Sequence, residues 1–69
     1  MALTWDQMGI MEPDFYRAEP PQGEVFLYTN WDEDRWLLVR DEKVIYDTET
    51  IDLKEAQAKA EKWLINELR

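Results

Sequence analysis

The sequence predicts an α+β domain: a three-stranded antiparallel meander with one C-terminal helix packed on one face, preceded by an irregular N-terminal arm. Three observations carry this expectation. Residues 24–48 contain three runs rich in β-branched and aromatic side chains, joined by very short acidic connections. Residues 52–68 follow with apolar side chains at helical spacing behind a capping residue. Residues 1–23 hold every proline and glycine of the chain. At 69 residues there is room for one core only, so residues 1–69 form a single domain.

In the arm, Thr4-Trp5-Asp6-Gln7 has the pattern of a capping box. Trp5, Met8 and Met11 recur at intervals of three, which predicts a short helical turn. Gly9 weakens that turn, and Glu12-Pro13 ends it, because the residue before proline disfavours the α region. Pro20-Pro21-Gln22-Gly23 is a breaker. With Trp5, Met8, Met11, Phe15 and Tyr16, the arm has the apolar content to lie down on the body of the domain. The alternative is a partner-binding segment that orders on contact.

The strands are "EVFLYTNW" (24–31), "RWLLVR" (35–40) and "KVIYD" (43–47). Connections as short as "DED" and "DE" require antiparallel neighbours. The second connection lacks the glycine of a favoured two-residue turn, which leaves the register open by one residue, and a slip of one exchanges the faces. Both faces carry apolar side chains: Val25 and Leu27 against Phe26 and Tyr28, Trp36 and Leu38 against Leu37 and Val39. One helix covers one face. The arm or a partner chain is the candidate for the other.

The helix has Asp52 as N-cap, with Glu55 completing an Asp-x-x-Glu capping box and Ile51 placed to staple against Ala56. Leu53, Ala56, Ala60, Trp63, Leu64 and Leu68 make one apolar stripe. Glu55 and Lys59 are an i,i+4 pair in the favourable order, and Arg69 suits the negative end of the helix dipole. The small Ala56 and Ala60 allow close approach to a sheet, which makes Trp63 a core plug.

Several chemistries lack their residues. There is no Cys, no His and no Ser, so no thiolate, no imidazole acid/base group and no serine nucleophile. Two glycines cannot make a Gly-rich phosphate loop. The acids show no Asp-x-Asp-x-Asp-Gly spacing for a hard cation. The expectation is therefore a non-enzymatic protein with no cofactor and no metal. No apolar run approaches the ~20 residues of a membrane span, and no signal peptide is visible, so the expected location is the cytoplasm of a prokaryotic or phage-infected cell.

The run "WLLVR…KVIYDTETIDLKEAQAKAEKWL" supports a resemblance. Trp36, the strand pair, the Thr48–Thr50 corner and the helix with Ala56, Ala60 and Trp63 resemble two groups. One is the sheet-reading DNA-binding domains of tyrosine recombinases and plant ethylene-response factors. The other is the small accessory proteins of phages and mobile elements with a three-strand-plus-helix body. The likeness covers residues 24–68. The first group implies groove reading by basic and aromatic residues of the exposed sheet face. Here only Arg35, Arg40 and Lys43 could serve, among Asp32, Glu33, Asp34, Asp41, Glu42 and Asp47. Phosphate contact dominates nucleic-acid affinity, so these residues argue against direct nucleic-acid binding.

Sixteen acids against eight bases leave a net charge of −8. Residues 1–34 hold eight acids and Arg17, for −7, and residues 35–69 hold eight acids and seven bases, for −1. Such a field attracts basic partners. "NWDEDRW" concentrates it: Asn and Asp suit a turn, Trp31 and Trp36 flank the turn as an expected cross-strand pair, and three acids stand between. Aromatics supply contact area and acids steer a basic partner. The expected partner-binding residues are Tyr28, Trp31, Asp32, Glu33, Asp34 and Trp36, on a protein-interaction module of phage-inhibitor type that occupies a basic, nucleic-acid-binding surface of a host protein. The rival expectation is a homo-oligomer, a dimer being the simplest, that uses the second sheet face as its own interface.

Overall fold

The computed structural model describes residues 3–8, 15–30 and 34–67. The chain runs β1 (Asp6–Gln7), β2 (Phe15–Ala18), β3 (Val25–Asn30), β4 (Arg35–Arg40), β5 (Lys43–Asp47) and α1 (Leu53–Glu67). All strands belong to one antiparallel sheet whose spatial order is the chain order. The α+β class holds, but the sheet has five strands where three were expected. The two additional strands come from the arm. Phe15, Tyr16, Arg17 and Ala18 pair with Tyr28, Leu27, Phe26 and Val25, so β2 covers the row of backbone groups that β3 would otherwise expose at an edge.

The expected helical turn at Thr4 is not formed. Asp6 and Gln7 pair instead with Arg17 and Tyr16, and the Met8 amide donates to the Phe15 carbonyl at 3.1 Å. A weak local preference yields here to tertiary pairing. Met11, Glu12 and Pro13, which the same expectation involved, lie outside the described residues. The arm does pack on the domain, on the helix side: Leu3 and Trp5 lie against the core, and the Leu3 amide donates to Glu61 Oε1 at 2.8 Å. The breaker is a turn in which the Gly23 amide donates to the Pro20 carbonyl at 3.0 Å, and Gly23 has φ of 121°, a value open to glycine.

The register settles the faces. Leu27 pairs with Leu38, Tyr28 with Leu37 and Thr29 with Trp36. The expected Trp31–Trp36 pair is therefore replaced by Thr29–Trp36, and Trp31 lies outside the described residues. At the next hairpin Arg40 pairs with Lys43 across Asp41-Glu42, whose φ values of 51° and 64° are those of a type I′ turn built without glycine. Beyond it a β-bulge shifts the register between Leu38 and Val39, so that Leu38 opposes Tyr46 and Val39 opposes Val44. The extra residue is Ile45, and both Ile45 and Tyr46 pack against the helix-side core.

That core joins Ala18, Val25, Leu27, Trp36 and Leu38 of the sheet to Ala56, Ala60 and Leu64 of α1. Leu27, Leu38 and Leu64 are fully buried, each contributing about 1.5–3 kcal/mol relative to an exposed position. Trp63 stacks on Tyr46 with ring centroids 5.5 Å apart and 20° between planes, as part of the expected plug. The helix begins where expected. Asp52 Oδ1 accepts from the Glu55 amide at 2.9 Å, the bond of an N-cap. The Asp52 amide is satisfied by Thr50 Oγ1 at 3.2 Å, and Glu55 instead faces Lys59 at 3.5 Å. Ile51 is exposed and does not staple. Leu68 and Arg69 lie outside the described residues.

The face away from α1 carries Phe15 and Arg17 of β2, Phe26 and Tyr28 of β3, Arg35, Leu37 and Val39 of β4, and Val44 and Asp47 of β5. Among the described residues no helix or strand lies across it. The expectation that the arm covers this face is not met by its described residues, which extend the sheet sideways and pack on the helix side.

Candidate functional site

The six expected binding residues do not form one surface. Trp31, Asp32 and Glu33 lie outside the described residues. Tyr28 is exposed on the face away from the helix, whereas Trp36 is buried on the helix side. Tyr28 pairs with Leu37, the residue next to Trp36, and successive side chains of a strand point to opposite faces. Trp36 is thus corrected from a contact ring to a core residue. Asp34 is exposed, in the turn that enters β4.

Trp36 acts instead as a latch. Its amide donates to the Thr50 carbonyl at 3.0 Å, and its carbonyl accepts from the Thr48 amide at 3.1 Å and the Thr48 hydroxyl at 2.8 Å. Its indole Nε1 donates to the Ile51 carbonyl at 2.8 Å. Lys59 Nζ adds a bond to the Thr48 carbonyl at 3.2 Å. These bonds tie the corner between β5 and α1, residues 48–52, to the start of β4, two positions from Asp34. Thr48 is buried, so its hydroxyl needs the partner it has.

The latch links two stretches that carry exposed acids. Asp34 enters β4, while Glu49 and Asp52 stand on the corner. Ile51, next to Asp52 on the corner, is also exposed. Asp47 is held at this end by Arg35 at 3.1 Å and accepts from the Glu49 amide at 2.9 Å. Asp34 and Glu49 have φ of 51° and 58°. Together with Asp41 and Glu42, they are the non-glycine residues with positive φ among those described, and all are acidic. The left-handed region costs a non-glycine residue roughly 1–2 kcal/mol, less where a short polar side chain bonds locally, and all four residues are exposed. Sequence reasoning found Asp34 but not Glu49, Ile51 or Asp52 as surface partners. The signal lay in "DTETID" itself, three acids interleaved with two threonines able to turn the chain.

The opposite end of the sheet holds a crevice of about 290 Å³ between the Gln22–Glu24 turn and the Asp41-Glu42 turn, with Phe26 on its wall. Its one base, Arg40, is engaged by Glu67 at 3.0 Å. Gln22 Nε2 donates to the Leu64 carbonyl at 2.7 Å, which ties this turn to the end of α1. Among the described residues no group of three His, Cys, Asp or Glu is arranged to hold a metal ion. No described helix is long and apolar enough to cross a membrane. Comparison with known proteins brings no relative: no protein-family model, no curated protein and no solved structure matches the chain.

Proposed function

We propose that this chain is a non-enzymatic protein-interaction module that engages a basic surface of another protein through the acidic end of its sheet, with Asp34, Glu49 and Asp52 around the exposed Ile51. The observation that carries the reading is the latch on Trp36, which ties the corner bearing Glu49 and Asp52 to the start of β4, two positions from Asp34. A preorganised set of carboxylates binds a cationic surface without the ordering cost that flexible acids incur. Ile51 supplies apolar contact at the centre, and the acids at the rim steer the approach. In its sharper form the partner is a nucleic-acid-binding protein of a host, and the chain competes for its basic surface as a phage-type inhibitor. The net charge of −8 supports that form and disfavours direct contact with nucleic acid. Such an inhibitor would act in the cytoplasm of the infected cell.

The test is affinity capture from a bacterial lysate with the native chain and with the double variant Asp34→Lys/Glu49→Lys, at low and at high salt. The expected result is a captured nucleic-acid-binding protein that the native chain holds at low salt, releases at high salt, and that the variant fails to retain. A partner retained equally by both chains at both salt concentrations sinks the reading.

A further inference from the structure

We propose that the sheet face turned away from α1 is a contact between two copies of this chain, packed face to face about a twofold axis. The face presents Phe15, Phe26, Tyr28, Leu37, Val39 and Val44. Phe15 and Phe26 already make an edge-to-face pair with centroids 6.3 Å apart. Leu37 is closed off, but Tyr28 retains 38% and Val44 54% of their surface. Side chains of this kind on a five-stranded sheet call for a cover.

The charge on this face selects the occupant. Within the strands it carries Asp6 and Asp47 against Arg17 and Arg35, a balance of zero on a chain of net charge −8. Arg35 holds Asp47 at 3.1 Å, and Arg17 holds Glu19 and Glu24 at the margin. A basic partner would find few free carboxylates here and would have to break these pairs. A second copy, also carrying −8, meets little like-charge repulsion through a face that is locally neutral. Pairing along the sheet edges is obstructed: β1 has two residues, and β5 begins with Lys43 and carries the bulge. Face-to-face packing is the route left open. Strands ~4.8 Å apart and about six residues long give a face of roughly 19 by 20 Å, on the order of 400 Å². Half of the ~800 Å² per partner in a standard interface makes this a weak, reversible dimer.

The experiment is sedimentation velocity on the full chain from roughly 10 µM to 1 mM, a range suited to so small an interface, at low and at high salt. The expected result is a rise from the mass of one chain toward two with concentration, and a lower midpoint at high salt, because salt screens the repulsion between two −8 chains. Val44→Lys and Tyr28→Lys each reduce the net charge by one unit, yet each should shift the midpoint at least tenfold upward, with circular dichroism confirming the fold. Should either variant unfold, Val44→Thr, which keeps the shape of the side chain, should still weaken the dimer severalfold. A single-chain mass throughout the range at both salt concentrations overturns the proposal. So does a dimer indifferent to all three substitutions. If the chain stays monomeric while these variants lose a captured protein, the face belongs to that partner and the second copy is ruled out. This association strengthens with salt, whereas the acidic-end contact weakens with it, so the two readings fail independently.

Discussion

Thr48 donates two hydrogen bonds to one acceptor, the carbonyl of Trp36: its amide at 3.1 Å and its hydroxyl at 2.8 Å. Thr48 is buried and Trp36 nearly so, so this pair anchors the exit of β5 to the entry of β4 out of reach of water. Thr48→Val keeps the shape and removes the hydroxyl donor. It should lower stability by about 1 kcal/mol in a urea melt. Trp36→Ala removes a core ring and the Nε1 bond to Ile51, and should cost about 3–5 kcal/mol, enough to unfold so small a domain. A folded Trp36→Ala chain that merely lost a binding partner would return Trp36 to the surface.

The Asp41-Glu42 turn is a place where the chain can be improved. Both residues have positive φ, and Glu42 at 64° is the one that a type I′ turn would fill with glycine. Glu42→Gly should raise the unfolding free energy by about 1 kcal/mol through relief of the left-handed penalty. A lower melting midpoint in this variant would mean that the Glu42 side chain contributes more than its backbone costs.

Asp52 caps α1, and the proposed function gives it a second role that substitution can separate from the first. Asp52→Ala loses the cap on the Glu55 amide and should cost about 1 kcal/mol in a denaturant melt. Asp52→Asn keeps a capping oxygen and removes the charge, so it should leave the melt within about 0.5 kcal/mol while slowing association with a basic partner, as rim charges do. Surface plasmon resonance against the captured partner reads the second effect.

Trp5 packs against the core with its Nε1 buried and without a partner in the structure. Trp5→Phe removes that donor along with part of the ring, and the two effects offset, so its cost should stay below about 1 kcal/mol. Trp5→Ala removes the packing and should cost about 2–3 kcal/mol, below the usual range because the residue is only half-buried. Equal losses for the two variants would show that the indole nitrogen has a partner after all.

Which parts of this architecture were legible follows from how local their causes are. The helix start was legible because Asp52 bonds an amide three residues away. Its apolar face was legible because Ala56, Ala60 and Leu64 lie at helical spacing. The edge strands were not. β1 has two residues, and the sequence around it reads as a capped turn, so its conformation comes only from pairing with Arg17 and Tyr16. The acids of Asp41-Glu42 left the β4–β5 register open, whereas the placement of Tyr28 and Trp36 on opposite faces follows from the β3–β4 register. The acidic end was half legible. Asp34 was visible in a run of like charges, but the corner that carries Glu49 and Asp52 is tied to the start of β4 by bonds of Thr48, Thr50 and Ile51 to Trp36 that no spacing rule encodes.

Strand order that repeats chain order has a kinetic meaning. Each β-ladder closes between neighbours in the chain, so the sheet can zip from hairpin to hairpin at low loop-closure cost. The bond from the Leu3 amide to Glu61 is of another kind, joining residues 58 positions apart. It ties the first described residue of the arm to α1, so it can form only once α1 has been synthesised. A contact of so long a range is expected to form after the folding barrier. On that expectation Glu61→Ala should accelerate unfolding and leave the folding rate almost unchanged in a chevron measurement, so that the Leu3–Glu61 bond bears on how long a folded molecule survives rather than on how fast one is made.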